Sequence, residues 1–271
     1  MTRHPPPTTW IDGRIVPSDD AVVSALDHGL LLGDGVFEAL VVRDGRPVMI
    51  ERHLRRLRRG LERLDITHGP DDTTLIAAID ELVTASGLDE ARIRITVTAG
   101  SGPTSRERGP SPTVLVSIDR LGASTPTTSL TLVPWARNER SPLAGIKSTA
   151  WADNAFALRY ATSMGFANAL FLDTTGRLSE CATANVFLVI DHEILTPTLD
   201  SGCLAGTVRE ALVEAGVARE RDLWPRDLDA ADAVFITTST TGVVPVIQID
   251  ERAYPADDPA FDRARHALDA G

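Results

Sequence analysis

Hydrophobic positions in the first 120 residues switch between helical and strand periodicity. Leucines recur every three or four residues after Glu51 and predict a helix there. A second helix is predicted over 72–86, with Gly87 as its C-cap. Strict alternation over 92–98 predicts a strand. The same reasoning predicts a hairpin over 9–16 about Asp12-Gly13 and strands at 36–42 and 113–118.

The pattern changes after residue 120. The segment LGASTPTT is small, polar and interrupted by proline, which is typical of a linker. We therefore predict a mixed α/β (α+β) chain of two domains, without the regular alternation of a doubly wound sheet. The predicted parts are a small N-terminal α/β domain at 1–120, an interdomain linker at 121–129 and a larger C-terminal domain at 130–271. Within the last, we predict strands at 130–133, 169–173, 186–190 and 233–237 and helices at 152–164 and 207–215.

Composition narrows the classes of partner. The chain has 271 residues, a net charge of −11 and a pI near 5.0, which argues against nucleic acid or an anionic membrane as a partner. Its most basic stretch, 51–63, also carries the leucine periodicity, so we interpret it as a solvated helix face. No apolar run reaches the ~20 residues that span a bilayer, and the N-terminus lacks the apolar region of a signal peptide. We expect a cytoplasmic protein.

The two cysteines, Cys181 and Cys203, form no CxxC or Cys/His cluster. Neither a disulfide framework nor a metal site is therefore predicted, and both are expected to be free thiols in a reducing compartment.

Lys147 is the only lysine, and it lies just before the helix predicted at 152–164. A lysine that forms a Schiff base needs a neutral amine, so its surroundings must shield or disfavour the ammonium. From the residues alone, a surface lysine and a Schiff-base lysine are both open interpretations.

Six ordered stretches give the chain a specific resemblance. They are DHGLLLGDGVFEAL (27–40), HLRRL (53–57), LAGIKS (143–148), GRLSECATANVFLV (176–189), GCLAGTVREAL (202–212) and FITTSTTGVVPV (235–246). With them the chain resembles the class IV aminotransferase family, the fold type IV enzymes of pyridoxal 5′-phosphate (PLP). This family includes branched-chain aminotransferases, D-amino acid transaminases, (R)-selective amine transaminases and 4-amino-4-deoxychorismate lyases. The resemblance covers nearly the whole chain and implies a two-domain α+β fold, bound PLP and a homodimer.

The resemblance also implies roles for individual residues. Lys147 would carry PLP as a Schiff base and then move the substrate α-proton. Glu180 would face the pyridine nitrogen, although alone it is an ordinary acid at a strand end. Asn185 is expected behind the site. The phosphate would be bound by Arg56, by the backbone N–H groups of Thr207 and Val208 at a helix start, and by Ser239 and Thr240.

Two of these assignments have alternatives. Val208 stands where the family often has a hydroxyl residue, so only its backbone donor remains. The stretch TTSTTG, which contains Ser239 and Thr240, on its own favours a polar turn between strand and loop over a phosphate site.

The residues expected to bind the substrate match the family pattern less closely than those expected to bind PLP. Phe37 aligns with an aromatic wall of the substrate pocket, with a core phenylalanine as the alternative. D-amino acid transaminases bind the α-carboxylate with an Arg-x-His pair, and Thr104 and Arg106 occupy those two positions here. Arg106 or Arg108 would bind a carboxylate if the loop folds over the site; otherwise both are solvated loop arginines. The amides of Thr240 and Thr241 are candidates for the other carboxylate position.

Two residues that differ from those common in the family bear on which of its activities the chain has. Ala39 stands where lyases commonly have threonine, and Trp151 where many relatives have tyrosine. We expect a transaminase acting on D-amino acids and on (R)-amines, with the 4-amino-4-deoxychorismate lyase, which gives 4-aminobenzoate and pyruvate, as the alternative. A branched-chain aminotransferase and a non-catalytic PLP-binding protein are the remaining alternatives.

Overall fold

The computed structural model describes residues 8–104 and 106–269. Within these ranges it contains seven α-helices and fifteen strands, which form two sheets. The mixed α and β composition predicted from the sequence is confirmed. The chain divides into two compact units: unit 1 comprises the chain up to Gly122 and Ile146–Trp151, and unit 2 comprises Ala123–Gly145 and the chain from Ala152.

Unit 1 is built on a six-stranded antiparallel sheet with strand order β2-β1-β6-β5-β3-β4. Helices α2 and α3 pack on this sheet. Gly60 lets α2 approach β3 closely, because a Cβ there would lie 2.9 Å from Val36 Cγ1. The elements are β1 (Thr8–Ile11), β2 (Arg14–Pro17), α1 (His28–Leu32), β3 (Gly35–Arg43), β4 (Arg46–Pro47), α2 (Ile50–Arg63), α3 (Asp72–Ser86), β5 (Ala91–Thr98) and β6 (Thr113–Arg120).

One face of the unit 1 sheet carries the hydrophobic core. Alternate residues of β3 and β5, among them Val36, Leu40, Ile93 and Ile95, are buried with the leucines of both helices. The intervening residues, such as Phe37 and Arg94, lie on the opposite face because successive strand side chains alternate. Glu38 breaks the apolar pattern, since it is a carboxylate on the core face.

Unit 2 is built on a nine-stranded mixed sheet with the order β12-β11-β10-β13-β14-β7-β8-β9, and β15 pairs with β14. Strand β7 is parallel to both of its neighbours, β14 and β8, and β11 is parallel to β12. The elements are β7 (Thr128–Arg137), α4 (Ala152–Ser163), β8 (Asn168–Asp173), β9 (Leu178–Cys181), β10 (Asn185–Ile190), β11 (Glu193–Thr196), α5 (Thr207–Glu214), β12 (Ala218–Glu220), α6 (Pro225–Ala230), β13 (Ala233–Thr238), β14 (Gly242–Ile249), β15 (Arg252–Ala253) and α7 (Pro259–Asp269).

Both faces of the unit 2 sheet are covered. In β10, Val186 and Leu188 belong to one core cluster, while Phe187 and Val189 belong to another. Phe187 stacks on Phe235 with 4.7 Å between ring centroids. Burial on both faces explains why β10 is continuously apolar rather than alternating.

The structure adds elements that the sequence patterns did not predict. Helix α1, strands β9, β11, β12, β14 and β15, and helices α6 and α7 were all missed. The predicted strand at 233–237 was expected to complete the second half, but β14 and α7 follow it.

The segment 146–151 belongs to unit 1, whereas the sequence assigned it to the C-terminal domain. The reason is backbone pairing with β3: Phe37 N–H donates to Lys147 C=O at 2.9 Å, and Thr149 N–H donates to Gly35 C=O at 2.9 Å. The predicted linker also ends early, because Thr128 already belongs to β7. Whether the two units are independent domains stays a prediction.

No helix within residues 8–104 and 106–269 is long and apolar enough to cross a membrane. Nor do these ranges contain a group of three or more His, Cys, Asp or Glu side chains able to hold a metal ion. Both cysteines are buried free thiols, and burial raises the pKa of Cys203 to about 11.

Candidate active site

Lys147 lies in the extended segment that pairs with the start of β3 in unit 1. Its Nζ is 4.5 Å from the centroid of the Phe37 ring. The backbone bonds at Lys147 and Thr149 fix where the Lys147 side chain starts, and its amine lies beside Phe37.

Phe37 is buried, but it is not a member of the main hydrophobic cluster of unit 1. Its ring contacts the Lys147 amine, the Arg94 guanidinium carbon at 3.9 Å from the centroid, and the edge of Trp151 at 6.5 Å. Phe37 thus lies on the face of the sheet opposite that cluster, next to two cationic side chains. Its role as an aromatic wall of the substrate pocket stays a prediction.

Arg94 was not among the residues predicted for the site. It projects from β5 on the same face as Phe37, and its Nε donates to Thr96 Oγ1 at 3.2 Å. Partial burial, and then the charge of Arg92, lower the pKa of the Arg94 guanidinium. In the part of the chain that the structure describes, no carboxylate pairs with it. The available signal in the sequence was an arginine at an outward position of a strand next to Phe37.

Arg56 lies on α2 and forms a buried ion pair with Glu38 of β3. Its Nε donates to Glu38 Oε1 at 2.7 Å and its Nη2 to Oε2 at 2.6 Å. His53, one helical turn earlier, contacts Oε2 through Nδ1 at 2.7 Å. Because an ionised carboxylate only accepts, Nδ1 carries the proton in this contact.

Burial acts on both titratable partners of this cluster. For Glu38, burial opposes ionisation, but the charge and hydrogen bonds of Arg56 and His53 lower its pKa to about 2. For His53, burial lowers the pKa below its usual value, against the opposing effect of Glu38. Glu38 is thus an anion and His53 is neutral at neutral pH. The sequence reasoning assigned a role to Arg56 alone, although an acid at an inward strand position was a usable signal.

Glu180 is on β9 in unit 2. Its Oε2 accepts a hydrogen bond from Leu204 N–H at 2.9 Å, and its Oε1 lies 3.3 Å from Arg137 Nη2. Arg137 also donates to Asn154 Oδ1 at 3.2 Å and lies over the Phe171 ring. Its Nε and Nη2 are buried without a hydrogen-bond partner among the residues described. The sequence reasoning missed Arg137.

The start of α5 is shaped by Asn185. Asn185 Nδ2 donates to Leu204 C=O at 2.8 Å, and a Cβ on Gly206 would lie 2.0 Å from Asn185 Oδ1. Gly206 is the N-cap of α5, with no side-chain cap hydrogen bond, and the buried residues Thr207 and Val208 follow it. Asn185 therefore supports the turn that begins the helix, and its place behind a cofactor site stays a prediction.

Ser239, Thr240 and Thr241 lie in the turn from β13 to β14. The amides of Thr240 and Thr241 donate to Thr238 Oγ1 at 3.1 and 3.0 Å. These two amides were predicted as anion donors, so binding an anion would require them to exchange or share the Thr238 hydroxyl.

The loop after β5 contains the two arginines considered for a substrate carboxylate. Arg108 is already engaged: Nε and Nη2 each donate to Asp34 at 2.8 Å, and Nη1 donates to Asp65 C=O at 2.8 Å. It ties the loop down, so the prediction of Arg108 as a carboxylate donor does not fit this structure. Arg106 is exposed, and its amide donates to Thr104 Oγ1.

The chemistry of these residues fits PLP, which presents an aldehyde, a basic ring nitrogen and a phosphate. Lys147 offers the amine, and Glu180 offers a carboxylate for the ring nitrogen. Arg56 and the start of α5 offer donors for an anion. Glycine at 206 is required by packing against Asn185, because a Cβ there would lie 2.0 Å from Asn185 Oδ1.

Comparisons with known proteins agree with this chemistry. Residues 35–249 match the family described as amino-transferase class IV. The aminodeoxychorismate lyase of Bacillus subtilis (strain 168) is 28% identical, over 90% of this chain and 87% of its own. The bifunctional aminodeoxychorismate lyase / D-amino acid transaminase of Mycobacterium tuberculosis is 29% identical, over 90% and 92%.

Among solved structures, the PLP-bound form of a hypothetical aminotransferase from Mycobacterium tuberculosis superposes with a TM-score of 0.87 at 25% identity, covering 97% of this chain and 98% of its own. The family match covers well over half of the chain. This protein therefore belongs to the class IV aminotransferases, the fold type IV enzymes that use PLP as their cofactor.

Proposed function

We propose that the protein is a transaminase that moves an amino group between a D-amino acid and a 2-oxo acid, with (R)-amines as further donors. The observation that carries the proposal is the arrangement of Lys147, Phe37 and Arg94 in unit 1. The Lys147 amine and the Arg94 guanidinium both contact the Phe37 ring, at 4.5 and 3.9 Å from its centroid. An arginine that pairs with no carboxylate among the described residues, on the same aromatic ring as the reactive amine, suits a substrate that carries a carboxylate.

Each remaining residue has a proposed role. PLP, when bound, supplies an electron sink that makes the substrate α-proton removable. Lys147 would hold PLP through its side-chain amine, and the same amine would move the proton of the substrate α-carbon. Glu180 keeps the ring nitrogen protonated. Arg56, Thr207, Val208, Ser239 and Thr240 bind the phosphate, and Phe37, Arg94, Arg106 and Thr241 contact the substrate.

The lyase is the alternative, and the relative from Bacillus subtilis supports it by its name. A lyase must expel pyruvate after the α-proton is lost. Ala39 lies two residues after Phe37 on the same strand, β3. It has a methyl group where lyases commonly have a threonine hydroxyl, so it cannot donate a proton to a leaving group. This supports the transaminase.

The test is a half-reaction with the PLP-loaded protein. D-Alanine, D-glutamate, L-leucine and an (R)-amine are mixed with it separately, and conversion to pyridoxamine phosphate is followed. We expect conversion with the D-amino acids and the (R)-amine, and little with L-leucine. Release of 4-aminobenzoate from aminodeoxychorismate, with no half-reaction, would favour the lyase instead.

Lys147→Ala should abolish turnover. Without the amine, both the Schiff base and the proton carrier are lost, so we expect a fall of at least about 10³-fold in turnover. A Lys147→Ala protein that kept full turnover would refute the assignment of this lysine.

We also propose a homodimer in the cytoplasm. Three consecutive leucines of α1, Leu30, Leu31 and Leu32, are 68%, 49% and 51% exposed, which supports a contact surface there. Sedimentation equilibrium of the wild type and of Leu31→Asp tests the dimer, since a buried aspartate would weaken it. The buried free thiols support a reducing compartment, which cell fractionation tests.

A further inference from the structure

Glu38 and His53 are buried polar residues to which the proposed reaction gives no role. Glu38 has no solvent exposure and His53 is 1% exposed. Both lie where the alternation of β3 and the inward face of α2 call for apolar side chains, among Val36, Leu40 and Leu57. A buried charge in such a place is unfavourable unless it is paired and hydrogen-bonded.

The contacts of Glu38 fix one edge of the Arg56 guanidinium. The carboxylate accepts from Nε and Nη2, so it occupies the edge of the planar group that these two nitrogens form. Because the guanidinium is planar, Nη1 and the second N–H of Nη2 point away from Glu38. An anion that binds Arg56 beside Glu38 would therefore meet Nη1 and the second N–H of Nη2.

His53 in turn fixes Glu38. Its Nδ1–H donates to Oε2, the same oxygen that accepts from Arg56 Nη2. His53 and Arg56 are one turn apart on α2, so both reach the same carboxylate from one helix. The three side chains therefore form one hydrogen-bonded unit in which rotation of the guanidinium about its long side chain is prevented.

We propose that Glu38 and His53 are positioning residues, which hold Arg56 so that its Nη1 side is presented to the phosphate of PLP. The inference rests on the proposed role of Arg56 in binding that phosphate. It explains why a carboxylate, which by itself repels a phosphate, lies next to this arginine. The negative charge of Glu38 weakens the attraction of Arg56 for the phosphate, but this loss is offset because Glu38 holds the guanidinium in one orientation.

The test compares two aldehydes, PLP and pyridoxal, which differ only in the phosphate. Apoprotein is titrated with each aldehyde. The affinity for PLP divided by the affinity for pyridoxal reports the contribution of the phosphate. In Glu38→Gln the amide cannot accept from both arginine nitrogens, so Arg56 is released. We expect the ratio to fall at least about tenfold in Glu38→Gln, as in Arg56→Ala. The affinity for pyridoxal itself should stay within about threefold.

Further variants separate positioning from a general structural role. His53→Asn keeps a donor at the place of Nδ1 and should retain the wild-type ratio, whereas His53→Leu should lower it. The double variant Glu38→Gln/Arg56→Ala should lose no more than Arg56→Ala alone, because both act through one contact. The ³¹P chemical shift of bound PLP should change in Glu38→Gln and stay unchanged in His53→Asn.

Asp72→Asn is the matched control. Asp72 accepts from Nε and Nη2 of Arg58, which lies on α2 like Arg56. Asp72 is exposed, so loss of its charge should leave the affinity ratio unchanged. If Glu38→Gln does not fold, the two His53 variants decide the matter. Equal losses of PLP and pyridoxal affinity in Glu38→Gln or His53→Leu, or an unchanged ratio, would overturn the inference. A wild type that forms no Schiff base with PLP would instead refute the proposed function.

Discussion

The two units hold their charged groups in different ways. In unit 1, both oxygens of Glu38 accept close hydrogen bonds from Arg56 and His53, and the carboxylate is completely buried. In unit 2, Glu180 is 13% exposed, accepts from Leu204 N–H, and lies 3.3 Å from Arg137 Nη2 without a well-aligned hydrogen bond. The first arrangement is closed and has one geometry. The second contains arginine nitrogens whose hydrogen-bonding capacity is not used.

This difference determines how strongly the loss of one side chain destabilises each network. In a buried network the loss of any member strongly destabilises the fold, because the charge that remains is neither paired nor solvated by water. A network with unused donors loses less, since its members were only partly stabilised in the first place. We therefore expect substitutions in unit 1 to affect folding more than the corresponding substitutions in unit 2.

The largest effect is expected for Glu38→Ala. It leaves the buried Arg56 guanidinium and His53 Nδ1–H without their acceptor, and it opens a cavity in the core. We expect a loss of about 3–5 kcal/mol in the free energy of unfolding, measured by urea denaturation of the apoprotein. A loss below about 1 kcal/mol would show that water or another side chain replaces the carboxylate.

Acid pH probes the same network without a mutation. The pKa of Glu38 is about 2 in the folded chain against 4.5 as its ordinary value. Because the folded pKa is the lower one, its stabilisation is complete above about pH 4.5 and is lost as pH falls towards 2. The contribution is about 3 kcal/mol.

The measurement is the free energy of unfolding against pH for wild type and Glu38→Ala. Other carboxylates titrate in both proteins, so the difference between the two curves isolates Glu38. That difference should shrink as pH falls from 4.5 to 2. Parallel curves over this window would contradict the low pKa of Glu38.

Much of the local structure was predictable because its causes are local. Helix α3 spans Asp72–Ser86 as predicted, with Asp71 accepting from Thr74 N–H at its start and Gly87 at φ 61° at its end. Strand β5 follows from alternation alone. Such signals lie within a few residues of the element that they specify.

What could not be predicted depends on partners distant in sequence. Residues 146–151 join unit 1 through hydrogen bonds to β3, about 110 residues away, and no local pattern encodes that pairing. The engagement of Arg108 with Asp34 is equally invisible in the loop sequence. The family motifs indicated Arg56 and Glu180 as site residues, but their partners Glu38 and Arg137 required coordinates.

An intermediate effect is expected for Arg137→Met in unit 2. The variant removes an ion pair with Glu180 at 3.3 Å, but it also removes two buried nitrogens that have no hydrogen bond in the described structure. These opposite contributions partly cancel, so we expect a loss of about 1 kcal/mol in the free energy of unfolding. Urea denaturation beside Glu38→Ala makes the comparison direct. A loss as large as that of Glu38→Ala would remove the distinction between the two networks.

The smallest effect is expected for Asp72→Asn, which weakens an exposed ion pair between Asp72 at the start of α3 and Arg58 of α2. Arg58 Nε and Nη2 both donate to Asp72 Oδ1, at 2.8 and 2.5 Å, so this contact also joins one carboxylate to two arginine nitrogens. Asp72 is 52% exposed, however, and water replaces the lost partner for either side chain. We expect the free energy of unfolding to change by less than about 0.5 kcal/mol, and the change to shrink further in high salt. Because Arg56 and Arg58 share one helix, a loss similar to that of Glu38→Ala would mean that ion pairing to α2, rather than burial, sets the energy.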